Sequence, residues 1–116
     1  MPKRSKKLLA DIYAAARTVA VFIEGHTRKS YGQDLMLRSA VERQIEIVGE
    51  ALRRLEAHDS LLASRISESK RIIAFRNIIA HGYDILDDDI VWQAVSEKMP
   101  VLAQEAQGLL DELEGK

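Results

Sequence analysis

Apolar residues return every three or four positions along most of this chain. Leu8, Leu9, Ile12, Ala16, Val19, Ala20 and Ile23 mark a first stripe. That is the period of an amphipathic helix, so a helix is expected from Ser5 to about Glu24. The stripe stops at GHTRKSYGQ, residues 25–33, the most polar stretch of the chain. Bounded by Gly25 and Gly32, it reads as a loop. Asp34 stands where a cap belongs, ahead of a second helix expected to reach about Ala57. Leu37, Val41, Ile45, Val48, Leu52 and Leu55 form its apolar face. Glu42, Arg43, Glu46, Glu50, Arg53 and Arg54 form the opposite face, with Glu50 three and four residues ahead of two arginines, a pairing that supports a helix weakly.

HDS, residues 58–60, predicts a turn with a fresh cap, then a short helix through Ile66. A third long helix is expected from Ser67 to Ala80, with Ile72, Phe75 and Ile79 on one face and Ile73 and Ile78 beside them. Gly82 offers a stop. The aspartates of DILDDD, residues 84–89, suit the start of a last helix, where they meet free amides and the positive end of the helix dipole. This helix carries Ile90, Val91, Ala94, Val95 and Met99. Pro100 should kink or restart it ahead of Leu102, Leu109, Leu110 and Leu113, because proline lacks the amide hydrogen. No stretch alternates as a strand would. The pattern predicts an all-α, up-and-down bundle of four to five helices.

Composition agrees. At 116 residues, 47% hydrophobic and 30% charged, the chain has the balance of one globular domain spanning 1–116. The net charge of −1 leaves nucleic-acid contact only to a local patch. The absence of cysteine removes disulfides and thiolate metal sites and suits a reducing cytoplasm. Asp11 and Arg17 interrupt the first apolar stripe, so a secretory leader is not expected. No apolar run reaches the ~20 residues of a membrane span, so no membrane association is expected either.

The chemistry worth noting gathers in RNIIAHGY, residues 76–83. At about 100° per residue, Asn77 and His81 align, as do Arg76 and Tyr83 if the coil persists, whereas Arg76 and His81 diverge by roughly 140°. One copy of the helix therefore does not aim Arg76 and His81 at one spot, but two copies about a twofold axis can. His81 is a general acid or base near neutral pH. Arg76 can grip a phosphate through two parallel hydrogen bonds. Asn77 can donate to the same oxygens, and Tyr83 adds a hydroxyl and a stacking ring. The dipole at a helix C-terminus favours the imidazolium. By spacing alone, a histidine capping the end of a structural helix explains the stretch better than a catalytic site does.

RNIIAHGY resembles the Arg-x4-His-x-Tyr motif of HepT-like toxins in the HEPN superfamily of small helical RNases. LRSAVERQIEIVGEALRRL (37–55) resembles that family's second helix with its Ile-x-Gly-Glu-Ala segment, and DDDIVWQAVSEKMPVL (87–102) its stretch after the motif. The resemblance implies a homodimeric, metal-independent endoribonuclease, the toxin of a type VII HEPN/MNT toxin–antitoxin pair. Arg76 and His81 match its catalytic residues, which meet at the subunit interface, and Asn77 matches a polar residue that supports phosphate placement. Tyr83 matches the tyrosine silenced by AMPylation from a minimal nucleotidyltransferase antitoxin of the MntA kind. The substrate would be tRNA or mRNA, and no cofactor is implied. Where many relatives carry Pro-Trp ahead of the motif helix, this chain reads SRISESKRIIAF.

Lys70 and Arg71, one or two turns before Arg76, can extend an RNA-binding patch or be ordinary exposed helix charge. His26 and His58 lack partners at metal-ligand spacing, so no metal site is expected. KRSKK at 3–7 reads as a solvated basic end and Trp92 as a packing anchor; Glu50 either makes a structural contact in the bundle, the favoured reading, or orients a motif side chain. The rival to an RNase is a non-catalytic helical partner or substrate-binding subunit of a nucleotidyltransferase.

Overall fold

The computed structural model describes residues 2–80 and 87–115. Helix α1 covers Pro2–Ile23, and α3 covers Leu35–His58. The two lie side by side, and α1 also packs along the final helix, α7, Met99–Leu113. The stripes explain why. Leu9, Ile12 and Val19 of α1, Val41, Ile45, Val48 and Leu52 of α3, and Leu102 and Ala106 of α7 are all buried in one core. Burying each large aliphatic side chain stabilises the fold by about 1.5–3 kcal/mol. Among the described residues there is no strand, and no helix is long and apolar enough to cross a membrane.

Asp34 caps α3 as expected, its carboxylate accepting from the Leu37 amide at 2.9 Å. The helix ends at Asp59, whose carboxylate then accepts from the Leu62 amide at 3.1 Å to start α4, Ser60–Ala63. One residue thus closes one helix and opens the next.

The polar stretch 25–33 is not the loop its composition suggests. Thr27 and Ser30 form a capping box: the Ser30 amide donates to Thr27 Oγ1 at 3.1 Å, and the Thr27 amide to Ser30 Oγ at 2.8 Å. This box starts a short helix, α2, Arg28–Gly32. It delivers Tyr31 to full burial, with its ring 5.6 Å from that of Trp92. Arg28 pairs with Asp89 on the same side, so α2 fastens the start of α6, Asp88–Gln93.

The motif helix, α5, covers Ser69–Ala80 and packs on α3. It begins two residues later than its pattern predicts, for a tertiary reason. Ser67 is drawn toward α7, its amide donating to the Glu105 carboxylate at 3.1 Å and its hydroxyl at 2.5 Å. Glu68 then turns the chain through a left-handed conformation, φ 65°, which a non-glycine residue adopts only under constraint. Glu68 is held from two sides, by Arg71 at 3.2 Å and Lys98 at 3.7 Å.

Asp87 caps α6 through the Asp89 amide at 2.8 Å. Beyond α6, Pro100 disturbs the helical path without breaking it. The chain passes through a π-helical turn, Ala94–Lys98, into α7. Proline supplies no amide and crowds the carbonyl one turn back. A widened turn just before it absorbs both problems while keeping Val95 and Met99 in the core.

Candidate active site

Arg76 lies on α5, half-buried, where that helix crosses α3. Its neighbour across the crossing is Gly49. A Cβ built on Gly49 would fall on the Arg76 Cβ and lie 2.5 Å from its Cγ and 3.3 Å from its Cδ. The aliphatic stem of Arg76 therefore rests directly on bare α3 backbone. At the far end, Nη1 donates to the side-chain oxygen of Asn77 at 3.1 Å. Nε is buried and finds no acceptor among the described residues. A buried, unmatched donor on a permanently charged group is unfavourable for stability. Such exceptions concentrate at sites with another task.

The guanidinium opens on a cleft of about 270 Å³ between α1 and α3, with Asp11, Arg43, Glu46, Glu50 and Arg54 around it. Glu50 is the focus of its charge. Arg53 grips the Glu50 carboxylate at 2.8 and 3.1 Å, and Arg54 stands 3.9 Å away. The Arg53 hydrogen bonds, with the charges of Arg53, Arg76 and Arg54, hold this carboxyl below its usual range. The structural role expected of Glu50 is thus joined by an electrostatic one: it shares the cleft with Arg76 and feels its charge.

Of the residues expected to act together, the structure joins Arg76 and Asn77. Lys70 and Arg71 sit elsewhere. Both are exposed and line a different cleft, of about 630 Å³, with Glu56 and Ser69, and Arg71 is engaged with Glu68. The cations that share a cleft with Arg76 are instead Arg43 and Arg54. Helix period alone places those two only on a polar face of α3; the packing of α5 on α3 is what brings Arg76 to the same cleft. Gly49 was readable in principle. Glycine in the interior of a 24-residue helix is less favourable than alanine by about 1 kcal/mol, a signal of close backbone approach. His81 and Tyr83 lie outside the described residues.

The fold and the crossing together define an all-α bundle that presents a half-buried arginine near the C-terminal end of a helix. The chain belongs to the ribonuclease HepT-like family of the HEPN superfamily, whose model matches residues 12–109. It is similar to a Methanocaldococcus jannaschii protein named "Putative RNase MJ1380", at 32% identity over 92% of this chain and 98% of that one. It is also similar to "Putative RNase MJ0127" of the same organism, at 26% identity over 100% of this chain and 96% of the other. A third relative there, "Gamma-glutamylcyclotransferase and putative RNase MJ0434", is 26% identical over 98% of this chain but only 51% of its own length. No solved structure matches the chain at a significant level.

Proposed function

We propose that this protein is a metal-independent endoribonuclease, the toxin of a type VII HEPN/MNT toxin–antitoxin pair, acting as a homodimer in the cytoplasm. The single observation that carries the reading is Arg76: a half-buried guanidinium with an unmatched Nε, tethered by Asn77, in a chain of the ribonuclease HepT-like family. Arg76 grips the scissile phosphate and stabilises the charge that builds on it. Asn77 holds the guanidinium through its carbonyl oxygen and leaves its amide hydrogens for phosphate oxygens. His81 takes the proton of the RNA 2′-hydroxyl. That oxygen bonds to the adjacent phosphorus and the bond to the 5′-oxygen breaks. The protonated His81 then gives its proton to the departing 5′-oxygen, leaving a 2′,3′-cyclic phosphate and a 5′-hydroxyl. Each site draws its arginine from one subunit and its histidine from the other. A minimal nucleotidyltransferase antitoxin silences the toxin by transferring AMP from ATP to the Tyr83 hydroxyl, with pyrophosphate leaving, which adds a bulky anion to the motif.

The test is cleavage of total RNA in EDTA by wild type, Arg76→Ala and His81→Ala, scored with growth on expression without the antitoxin. Wild type should cut and arrest growth, and both variants should do neither. Equal cleavage by wild type and His81→Ala overturns the reading.

A further inference from the structure

We propose that Gly49 is a positioning residue for Arg76: the α3 backbone is left bare at this point so that the arginine stem can lie across it and bring the guanidinium to the cleft edge beside Glu50 and Arg54. The inference rests on the reading of Arg76 as the phosphate-binding group and goes beyond it by assigning a role to a residue that carries no functional atom.

The contacts are specific. The three heavy atoms closest to a Cβ added at Gly49 are Cβ, Cγ and Cδ of one residue, Arg76. The nearest atoms all belong to this one side chain, so the space left by the missing side chain is taken first by the arginine stem. Two of the three contacts fall at or below 2.5 Å, well inside any distance real carbon atoms keep. Because the first involves the Arg76 Cβ, a rotamer change does not relieve it, and α5 itself must move off α3. Glu50 follows Gly49 directly and feels the Arg76 charge. The same turn of α3 therefore supplies both the seat for the stem and a carboxylate in the cleft that Arg76 lines. A displaced α5 separates Arg76 from both. Gly108, also inside a helix, shows the contrast: an added Cβ there meets nothing within 4 Å, and no seat is assigned to it.

The experiment pairs a binding readout with a stability cycle. Binding of a mixed-sequence 2′-O-methyl RNA oligonucleotide is measured against salt for wild type, Gly49→Ala, Arg76→Ala and the double variant. Loss of one phosphate contact lowers the slope of log Kd against log salt by about 0.7 for a single strand. Gly49→Ala and Arg76→Ala should each show that loss, and the double variant no more than either. Cleavage by Gly49→Ala should fall at least about tenfold, the size expected when a phosphate grip is misplaced. In parallel, Tm is measured for Gly49→Ala, Arg76→Gly and their combination. Removing the Arg76 Cβ should raise the Tm of the Gly49→Ala protein although it lowers that of wild type. If Gly49→Ala does not fold alone, a folded Gly49→Ala/Arg76→Gly protein supports the seat, and an unfolded one overturns it. A Gly49→Ala protein with wild-type slope and cleavage, or strictly additive Tm changes, also overturns it. Should Arg76→Ala itself keep the wild-type slope and cleavage, the phosphate-binding reading falls instead, and the Tm cycle alone judges the contact.

Discussion

Arg76 and Asn77, adjacent on α5, are joined by a hydrogen bond from Nη1 to the amide oxygen at 3.1 Å. Neighbours on a helix point about 100° apart, so this bond draws the long arginine side chain around the helix. Removing it frees the guanidinium to swing. Asn77→Ala should lower RNA cleavage about three- to tenfold, the equivalent of one ordinary hydrogen bond. Asn77→Asp keeps an acceptor but adds a negative charge where phosphate is expected, so its KM for RNA should rise. Steady-state kinetics on both variants separates the two effects. Wild-type kinetics in Asn77→Ala would leave the bond without a functional role.

A site shared between subunits makes a quantitative prediction about mixing. Arg76→Ala and His81→Ala homodimers should each be inactive. Randomly exchanged in equal amounts, half of the dimers are mixed, and one of the two sites in each mixed dimer is intact. Activity should therefore recover to about a quarter of wild type. Cleavage assays after unfolding and refolding the mixture provide the check. No recovery would place arginine and histidine in the same subunit's site.

Two glutamates on α3 should respond to pH with opposite signs. The Glu50 carboxyl is held low by its hydrogen bonds from Arg53, with Arg53, Arg76 and Arg54 as the favourable charges. The unfolded chain binds its proton more readily, so the stabilisation is present above the ordinary glutamate value and lost as pH falls through the lowered one. Glu42 is pushed up, chiefly by burial and further by Asp88 and Glu46, against the pull of Arg38. Its contribution is favourable below the ordinary value and lost as pH rises through the raised one. Glu50→Gln should therefore lower Tm at neutral pH and have little effect in acid. Glu42→Gln should raise Tm at neutral pH and have little effect in acid. Each shift should be at most a few degrees, because both sites are partly solvated. Thermal melts across pH 3–8 (an assay window of roughly that span about the carboxylate range) decide it.

Tyr31 carries a buried hydroxyl with no hydrogen-bond partner among the described residues, and burial is the main reason its ionisation is pushed far up. Its ring packs against Trp92. Tyr31→Phe keeps the ring and removes the unmatched group, so it should leave stability unchanged or improve it by about 1 kcal/mol. Tyr31→Ala should lose roughly 3–5 kcal/mol through the cavity it opens. Denaturant melts distinguish these outcomes. A large loss in Tyr31→Phe would mean that the hydroxyl is satisfied in solution.

Much of this architecture was readable residue by residue. The stripes Leu8 to Ile23 and Leu37 to Leu55 foretold α1 and α3 because a helix repeats every 3.6 residues and a core must be apolar along one side. Asp34, the HDS turn at 58–60 and the aspartates of 84–89 announced helix starts because free amides there need acceptors; that Asp59 and Asp87 are the capping residues came from the structure. Tyr31 was missed, since a single aromatic within a polar stretch has no period. Its burial depends on a capping box that folds the stretch back against Trp92. The late start of α5 was likewise hidden, because it depends on Glu105, 38 residues from Ser67.

For the candidate site the division is similar. The identity of the chemical groups, Arg76 and Asn77 among them, is a property of the chain order, and so is the helical period that sets their relative directions. Which groups stand around Arg76 is decided only where helices cross. There Gly49 admits the arginine stem, Glu50 brings a carboxylate to the same cleft, and Arg43 and Arg54 rather than Lys70 and Arg71 share it. Local pattern reports periodicity and caps, which act over a few residues. Contact between α3 and α5 depends on how two separate faces approach, and that is settled by packing the whole core.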